Sequence, residues 1–224
     1  MNYDAIMNRL KSLENKKNVQ GMARYGINPK NNLGVSIYIL RPLAKEIGRN
    51  HDLALKLWNS GIHDARLLAC FIDDPEKVTG KQMDCWANDF DSWDICDQAC
   101  TSLFDKNSVA WKKIFEWAEE DKEFVKRGAF SLIAGLSVHD KEANDKKFEQ
   151  LLPLIKKHSI DERNYVKKAV NWALRNIGKR NLNLNNKAIK TAEQIKKIDS
   201  KSAKWIANDA IRELTSDKVK KRFD

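Results

Sequence analysis

The sequence lacks the features that mark membrane, secreted and metal-binding proteins. None of its apolar runs approaches the roughly 18–20 residues of a membrane helix, and it does not begin with the basic and then apolar segments of a signal peptide. Its four cysteines (Cys70, Cys85, Cys96 and Cys100) and its four scattered histidines show no metal-ligand spacing. These absences favour a protein of the reduced cytoplasm that holds no metal ion.

Helix-breaking residues are also scarce. Only four prolines and nine glycines interrupt 224 residues. Apolar residues recur at helical spacing and strand patterns are almost absent, so the sequence predicts an all-α protein. With 42% hydrophobic residues and no break in composition, residues 1–224 are predicted to form a single domain. The predicted helices span residues 3–16, 36–49, 51–59, 62–73, 75–88, 92–104, 108–119, 122–136, 143–158, 161–179, 185–198 and 201–215.

One irregular segment is predicted between the first two helices. Residues 18–34 are rich in Gly and Asn and contain Pro29, which indicates a loop. Arg24 and Tyr25 stand out within it. Either one aromatic side chain packs this loop down, or the loop contacts a ligand, since binding residues collect on loops held by rigid scaffolds.

Weak internal similarity runs through the second half of the chain. Segments around Arg127 (with Lys126 before it), Lys168 and Trp205 each place a charged or large residue before a small and apolar stripe. Arg127 and Lys168 are 41 residues apart, and Lys168 and Trp205 are 37 apart, close to the period of two-helix HEAT-type repeats. Short connectors make neighbouring helices antiparallel. We therefore predict a right-handed α-solenoid of helix pairs whose inner helices line a concave, basic face.

The surplus of basic side chains indicates a polyanionic partner. Lys and Arg number 41 against 31 Asp and Glu, which gives a net charge of +10 and a pI near 9.3. Such a charge favours nucleic acid through counterion release, although a generally basic soluble protein would look the same. One predicted helix face carries Lys168, Trp172, Arg175 and Lys179. This face either follows a nucleic-acid backbone or is a solvated surface with Trp172 in the core.

One short stretch combines a carboxylate and an indole at a predicted helix start. Asp91 or Ser92 can cap the first turn, and Trp93 and Asp97, four residues apart, share one helix face. In isolation such a pair is most often a core tryptophan and a solvated carboxylate. Asp94 suits the positive end of the helix dipole, yet the sequence leaves open whether Asp94 or Asp97 would carry the chemistry.

Four segments form a set that is more specific than any one of them: Met22-Ala23-Arg24-Tyr25, Ser92-Trp93-Asp94-Ile95-Cys96-Asp97, Val125-Lys126-Arg127-Gly128-Ala129, and Val166-Lys167-Lys168-Ala169-Val170-Asn171-Trp172-Ala173-Leu174-Arg175. In this order and spacing, the chain resembles the bacterial DNA alkylation repair glycosylases, which are built from HEAT-like repeats. The resemblance covers nearly the whole chain. That family hydrolyses the N-glycosidic bond of cationic alkylated purines, such as N3-methyladenine and N7-methylguanine, without a metal or nucleotide cofactor.

The resemblance implies a role for each matching residue. Asp97 is expected to be the catalytic carboxylate, with Trp93 and Trp172 flanking the deoxyribose of the lesion. Arg127 is expected to hold the backbone near the lesion, and Tyr25 matches a tyrosine of the N-terminal DNA-contacting region. The expected partner is double-stranded DNA with alkylated bases, bound by a monomer that uses no cofactor and no membrane. Further expected DNA contacts are Arg24, Lys126, Lys168, Arg175 and Lys179.

The chemistry fits these residue types. A base alkylated at N3 or N7 is already positively charged and leaves as a neutral molecule, so no acid is needed to protonate it. An ionised Asp97 would stabilise the oxocarbenium-like sugar and orient the attacking water, and indole faces favour the same cation. An open face would also tolerate bulky adducts, unlike the pocket of glycosylases that extrude the base. The alternatives are a non-catalytic HEAT-repeat module that binds nucleic acid and a solenoid that binds protein, neither of which needs Asp97.

Overall fold

The computed structural model describes residues 1–223, and within this range the chain is helical and contains no β-strand. The predicted all-α class is therefore confirmed. No helix in the described range is both long and apolar enough to span a bilayer. The helices are α1 (Tyr3–Ser12), α2 (Lys16–Arg24), α3 (Ile37–Ile47), α4 (His51–Asn59), α5 (His63–Ile72), α6 (Gly80–Asn88), α7 (Trp93–Ser102), α8 (Ala110–Ala118), α9 (Glu123–His139), α10 (Asp145–Glu149), α11 (Leu152–His158), α12 (Asn164–Gly178), α13 (Leu182–Lys196), α14 (Lys201–Leu214) and α15 (Asp217–Lys220), and a 3-10 turn covers Phe104–Lys106.

The chain divides into two compact units, Met1–Val109 and Ala110–Asp224. Their charges differ. The first unit carries 14 basic and 14 acidic residues and the second carries 27 and 17, so the whole net charge of +10 belongs to the second unit. The predicted single domain spans both units and stays a prediction.

In the first unit, helices α3, α5 and α7 pack successively against one another, and α4 packs against α1 and α5. The core beside them is built on two stacked indoles. Trp58 and Trp86 lie 3.9 Å apart between ring centroids with an interplanar angle of 4°. The Trp58 Nε1 donates a hydrogen bond to Asp89 Oδ2 at 2.9 Å, so the buried indole has a polar partner and the stack is fixed in orientation.

In the second unit, helices α9, α12 and α14 pack one against the next, while α8 lies on α9 and α13 lies on both α12 and α14. The three successive helices begin at residues 123, 164 and 201, so their starts are 41 and 37 residues apart. The predicted repeat steps are thus confirmed. Arg127, Lys168 and Trp205 are each the fifth residue of their helix.

Polar bonds join the successive helices α9, α12 and α14 of the second unit. Arg127 Nη1 donates to the Tyr165 carbonyl at 2.7 Å, and Asn171 Nδ2 donates to Asp209 at 2.6 Å. Each pair is 38 residues apart. Neighbouring repeats are therefore joined by half-buried hydrogen bonds as well as by apolar packing.

Three predicted elements were wrong in part. Residues 18–24, predicted to lie in the irregular loop, belong to α2 (Lys16–Arg24), because the Asn15 side chain accepts from the Asn18 amide at 3.0 Å and caps the helix. The helix predicted from residue 75 begins at Gly80 after the cap Thr79. The helix predicted over 143–158 is divided into α10 and α11, with Pro153 in the first turn of the latter.

Two glycines offer a matched test of this packing. A Cβ atom at Gly21 in α2 would meet no atom within 4 Å, whereas one at Gly178 in α12 would lie 2.7 Å from buried Leu214 and 3.0 Å from Ala188. We expect Gly21→Ala to stabilise the protein by about 0.5–1 kcal/mol through helix propensity. Gly178→Ala should destabilise it by about 1–3 kcal/mol through overpacking. Thermal unfolding followed by circular dichroism measures both, and shifts of the same sign would contradict this description.

Candidate functional site

The start of α7 is fastened to the loop that follows α2. Ser92 is the N-cap residue, but its hydroxyl makes no capping bond; it accepts instead from the Asn28 amide at 2.9 Å. The Asp91 carboxylate accepts from Asn28 Nδ2 at 2.8 Å. The two residues expected to cap the helix through their side chains therefore tie it to the loop.

Trp93, the first residue of α7, is brought together with Tyr25 although 68 residues separate them. The Trp93 Nε1 donates to the Tyr25 backbone oxygen at 2.9 Å. Trp93 is half-buried, while the Tyr25 side chain is 77% exposed and Arg24, the last residue of α2, is exposed. The structure thus fixes one edge of the indole and leaves Tyr25 and Arg24 available to a partner.

Asp97 lies one turn after Trp93 and is half-buried. It is the fifth residue of α7, the position that Arg127, Lys168 and Trp205 occupy in their own helices. Its backbone oxygen accepts from the Thr101 hydroxyl at 2.8 Å. A carboxylate therefore stands at a repeat position that carries a cation in two helices of the second unit.

Asp94 has a partner that sequence reasoning missed. Its Oδ2 lies 2.9 Å from His63 Nε2, and its Oδ1 accepts from the Ile95 amide at 3.0 Å. His63 is 3% exposed. Burial alone would lower the pKa of His63, but the hydrogen bond and charge of Asp94 outweigh it and raise that pKa. Asp94 therefore makes a contact that its place in the first helical turn does not explain. In the sequence, the only indication of the His63–Asp94 pair is that His63 stands beside Asp64 at a helix start.

Asp64 is fully buried beneath the loop that precedes α3. Its two carboxylate oxygens accept from the amides of Leu33 and Val35, both at 2.7 Å. Burial raises the pKa of Asp64, and the two amide bonds partly oppose that shift. No local pattern in the sequence indicates that this loop is held by a buried acid.

An open cleft of about 690 Å³ borders Trp93 within the first unit. We call it the Trp93 cleft. Its wall is mostly apolar and is formed by α2, the segment between α2 and α3, the start of α7 and single residues of α3 and α5. Its lining includes Lys17, Gly21, Tyr25, Leu67, Trp93 and Asp94. The sequence had predicted an open surface without a pocket.

The predicted DNA-binding residues of α9 and α12 differ in accessibility. Arg127 is only 6% exposed, and its guanidinium holds the start of α12 through the Tyr165 carbonyl. Lys168 is exposed, while Lys126 and Trp172 are half-buried. Trp172 is therefore not a core residue, and most of the surface of Arg127 is taken up by protein.

Arg175 and Lys179 are joined to acidic residues of α14. Glu213 forms ion pairs with Arg175 and, at 2.8 Å, with Lys179, and Asp209 lies 3.6 Å from Arg175. Burial acts to raise the pKa of Glu213, but these two cations lower it. The stripe predicted as free positive charge is thus partly neutralised within its own unit.

A second cleft, of about 460 Å³, lies in the second unit and is strongly basic. We call it the basic cleft. Its lining combines Lys141, Lys179, Arg180 and Arg222 with neutral residues. Arg180 is anchored by the carbonyls of Ser137 and Ala143, at 2.8 and 3.2 Å. Such a concentration of cations suits phosphate groups.

The described residues contain no group of three or more His, Cys, Asp or Glu side chains that could hold a metal ion. None of the four cysteines forms a disulfide bond, and Cys85 is the one that is exposed among these described residues.

Comparison with known proteins places this geometry in a wider context. The family profile described as DNA alkylation repair enzyme matches residues 6–214. Uncharacterised proteins of Listeria monocytogenes and Listeria innocua are each 24% identical over 201 residues, covering 88% of this chain and 87% of theirs. A solved structure described as belonging to a new family of proteins related to the HEAT-like repeat DNA glycosylases, with affinity for branched DNA structures, superposes with a TM-score of 0.78. It is 20% identical and covers 95% of both chains. This likeness confirms the predicted HEAT-like repeat fold.

The pair of His63 and Asp94 predicts a pH-dependent stability. Because the pKa of His63 is raised in the folded state, its stabilising effect is complete below the unfolded pKa of about 6.5 and is lost as pH rises through the folded value. Asp94→Asn should therefore lower the melting temperature more at pH 6 than at pH 9. A temperature difference that stays constant across this range would contradict the pairing.

His158 provides the matched control in the second unit. Burial lowers the pKa of His158, so its effect has the opposite sign, and stability is lost as pH falls below about 6.5. The stability difference between the wild type and His158→Gln should therefore widen as pH rises, opposite to the trend for Asp94→Asn, and this distinguishes a local titration from a general effect of pH.

Proposed function

Since this chain belongs to the DNA alkylation repair enzyme family, we propose that it is a monofunctional DNA glycosylase. Its substrates are cationic alkylated purines in duplex DNA, such as N3-methyladenine and N7-methylguanine, which it removes for base excision repair. The observation that carries the proposal is the half-buried carboxylate of Asp97 one turn after the half-buried indole of Trp93. We propose further that the protein acts as a monomer in the cytoplasm, without a metal or cofactor.

The proposed reaction needs stabilisation of a cation more than it needs an acid. When the C1′–N bond breaks, the bonding electrons pass to the cationic base, which leaves neutral, and the sugar becomes an oxocarbenium-like cation. The Asp97 carboxylate stabilises that cation, orients the water that attacks C1′ and accepts the proton that this water loses. The faces of Trp93 and Trp172 contribute cation–π attraction of about 0.5–2 kcal/mol each.

The DNA backbone is proposed to bind mainly to the second unit. This unit holds the whole net charge of +10 and exposes Lys168 on α12. Lys126, Arg127, Arg175 and Lys179 are proposed to contribute to the same positive potential, the last of them in the basic cleft. In the neutral first unit, Arg24 and Tyr25 are proposed to contact the DNA beside Trp93, since both are exposed.

Replacement of the proposed catalytic carboxylate gives the direct test. Asp97→Asn should reduce the release of N7-methylguanine from methylated duplex DNA by about 100-fold or more, because a preorganised charge is removed from the transition state. DNA affinity should persist. Chromatographic measurement of the released base under single-turnover conditions follows the reaction, and wild-type protein that releases no base at micromolar concentration would refute the proposal.

Asp94→Asn is the matched control, since it removes a carboxylate three residues away on the same helix. If Asp94→Asn abolishes release while Asp97→Asn does not, the roles assigned to the two carboxylates are reversed. The melting temperature of each variant shows whether a loss of activity is caused by unfolding of the protein.

A second candidate function is binding of DNA structure without catalysis. The solved structure that shares the fold is described as having affinity for branched DNA structures, and a basic second unit suffices for binding. In that case the wild type binds a four-way junction more tightly than a duplex and releases no base. Asp97→Asn then leaves affinity unchanged or slightly raised, because a charge that repels phosphate is lost.

The division of charge predicts which lysines contribute to binding. Lys168 in α12 and Lys56 in α4 are both exposed helical lysines, but only the first lies in the basic unit. Lys168→Ala should reduce the slope of log affinity against log salt by about 0.9, the amount expected for one phosphate contact, and Lys56→Ala should leave it unchanged. Fluorescence anisotropy with a labelled duplex measures the slopes, and equal losses in the two variants would argue against binding through the second unit.

A further inference from the structure

We propose that the basic cleft of the second unit binds a phosphomonoester, the doubly charged phosphate group found at the end of a DNA strand or on a free mononucleotide. The inference goes beyond the proposed function, which assigns only Lys179 of this cleft to a general attraction for the DNA backbone. It starts from the lining of the cleft, in which Lys141, Lys179, Arg180 and Arg222 come together and no described lining residue is acidic.

Arg180 brings a fixed positive charge to the cleft. Its guanidinium packs on the ring of Phe148, with Cζ 4.0 Å from the ring centroid, and it donates to the carbonyls of Ser137 and Ala143. Its Nε is buried and has no hydrogen-bond partner among the described residues. Burial lowers the pKa of Arg180, because the surroundings stabilise its charge less than water would.

The carboxylates near Arg180 are bonded to other groups. Asp140 and Asp145 both act to raise the pKa of Arg180 by their charge, yet neither forms an ion pair with it in the described part of the chain. Asp140 accepts from the Trp111 indole at 3.2 Å, and Asp145 accepts from Asn181 Nδ2 at 2.8 Å. The charge of Arg180 is therefore left without a direct anionic partner, which an anion in the cleft would supply.

The other three cations of the cleft differ in how far they are neutralised. Lys179 pairs with Glu213 at 2.8 Å. Lys141 and Arg222 are exposed, and within residues 1–223 they form no ion pair. Acidic neighbours thus neutralise only part of the positive charge that the cleft presents.

This surplus of charge in a recess favours a phosphomonoester over the phosphodiester of an intact duplex. A phosphomonoester carries a charge of about −1.5 to −2 at pH 7 and three acceptor oxygens, whereas a phosphodiester carries a single charge. Guanidinium and ammonium groups are both suited to such oxygens. A cleft of about 460 Å³ can surround a group at a flexible strand end, but the phosphates of a duplex lie along a stiff, convex backbone.

Two exposed cations make the inference testable without changing side chains that hold the helices together. The cleft variant combines Lys141→Ala with Arg222→Ala. The control variant combines Lys196→Ala with Lys201→Ala, which are exposed lysines of the same unit outside the lining. Both variants lose two positive charges, so a difference between them reports the cleft and not the net charge.

The first measurement compares strand ends. Fluorescence anisotropy uses a hairpin duplex, labelled in its loop, whose 5′ end carries either a phosphate or a hydroxyl group. The wild type and the control variant should bind the phosphorylated hairpin about tenfold more tightly, the effect expected from one hydrogen bond between charged groups. The cleft variant should bind the two hairpins equally.

The second measurement distinguishes a strand end from a free nucleotide. 2′-Deoxyadenosine 5′-monophosphate should bind saturably to the wild type and the control variant in titration calorimetry, whereas deoxyadenosine should not bind. Preference for the phosphorylated hairpin assigns the cleft to DNA ends, and nucleotide binding without that preference assigns it to free nucleotides. If the wild type shows neither, or if the cleft variant retains either, the inference is overturned. Neither measurement depends on base release, so the result is independent of the proposed glycosylase activity.

Discussion

The arrangement of the first unit depends on one buried carboxylate. A charged group with no exposure to solvent is costly unless it is hydrogen-bonded, and Asp64 meets this condition through the amides of Leu33 and Val35. Those bonds hold the loop before α3 against the helices. The same loop reaches the start of α7 through Asn28. The position of Trp93, and with it the wall of the Trp93 cleft, therefore follows from a polar interaction at some distance from the indole.

The surplus of positive charge and the proposed catalytic carboxylate lie in different parts of the chain. The first unit has no net charge and contains Trp93, Asp97 and the Trp93 cleft, whereas the second unit has the full surplus of cations and the basic cleft. The proposed catalytic carboxylate, Asp97, thus lies in the unit without net charge, while acidic residues of the second unit form ion pairs with cations of that unit. The acidic residues of α14 that pair with Arg175 and Lys179 show how readily such pairs form.

The spacing of the repeat helices could be predicted from the sequence, but several contacts around the candidate site could not. Helix spacing depends on apolar periodicity, and this is why the steps of 41 and 37 and the helix over 51–59 were right. Residues 18–24 were misassigned because Gly and Asn suggested a loop, yet the Asn15 cap stabilises a helix there. The contact of His63 with Asp94 joins positions 31 residues apart, and the burial of Arg127 arises from packing against the next repeat. Neither can be predicted from local patterns, because both depend on how distant helices meet.

The unequal division of charge also predicts the order in which the two units would contact DNA. Attraction over a distance follows net charge and is screened over a Debye length of about 8 Å at physiological ionic strength, so under the proposed function an approaching duplex is attracted mainly by the second unit. The first unit, which has no net charge, would make its contacts afterwards, when the duplex is already held. Ionic strength should consequently govern how fast a complex forms, while the time that the first unit spends on a given base is set by short-range contacts that salt hardly changes.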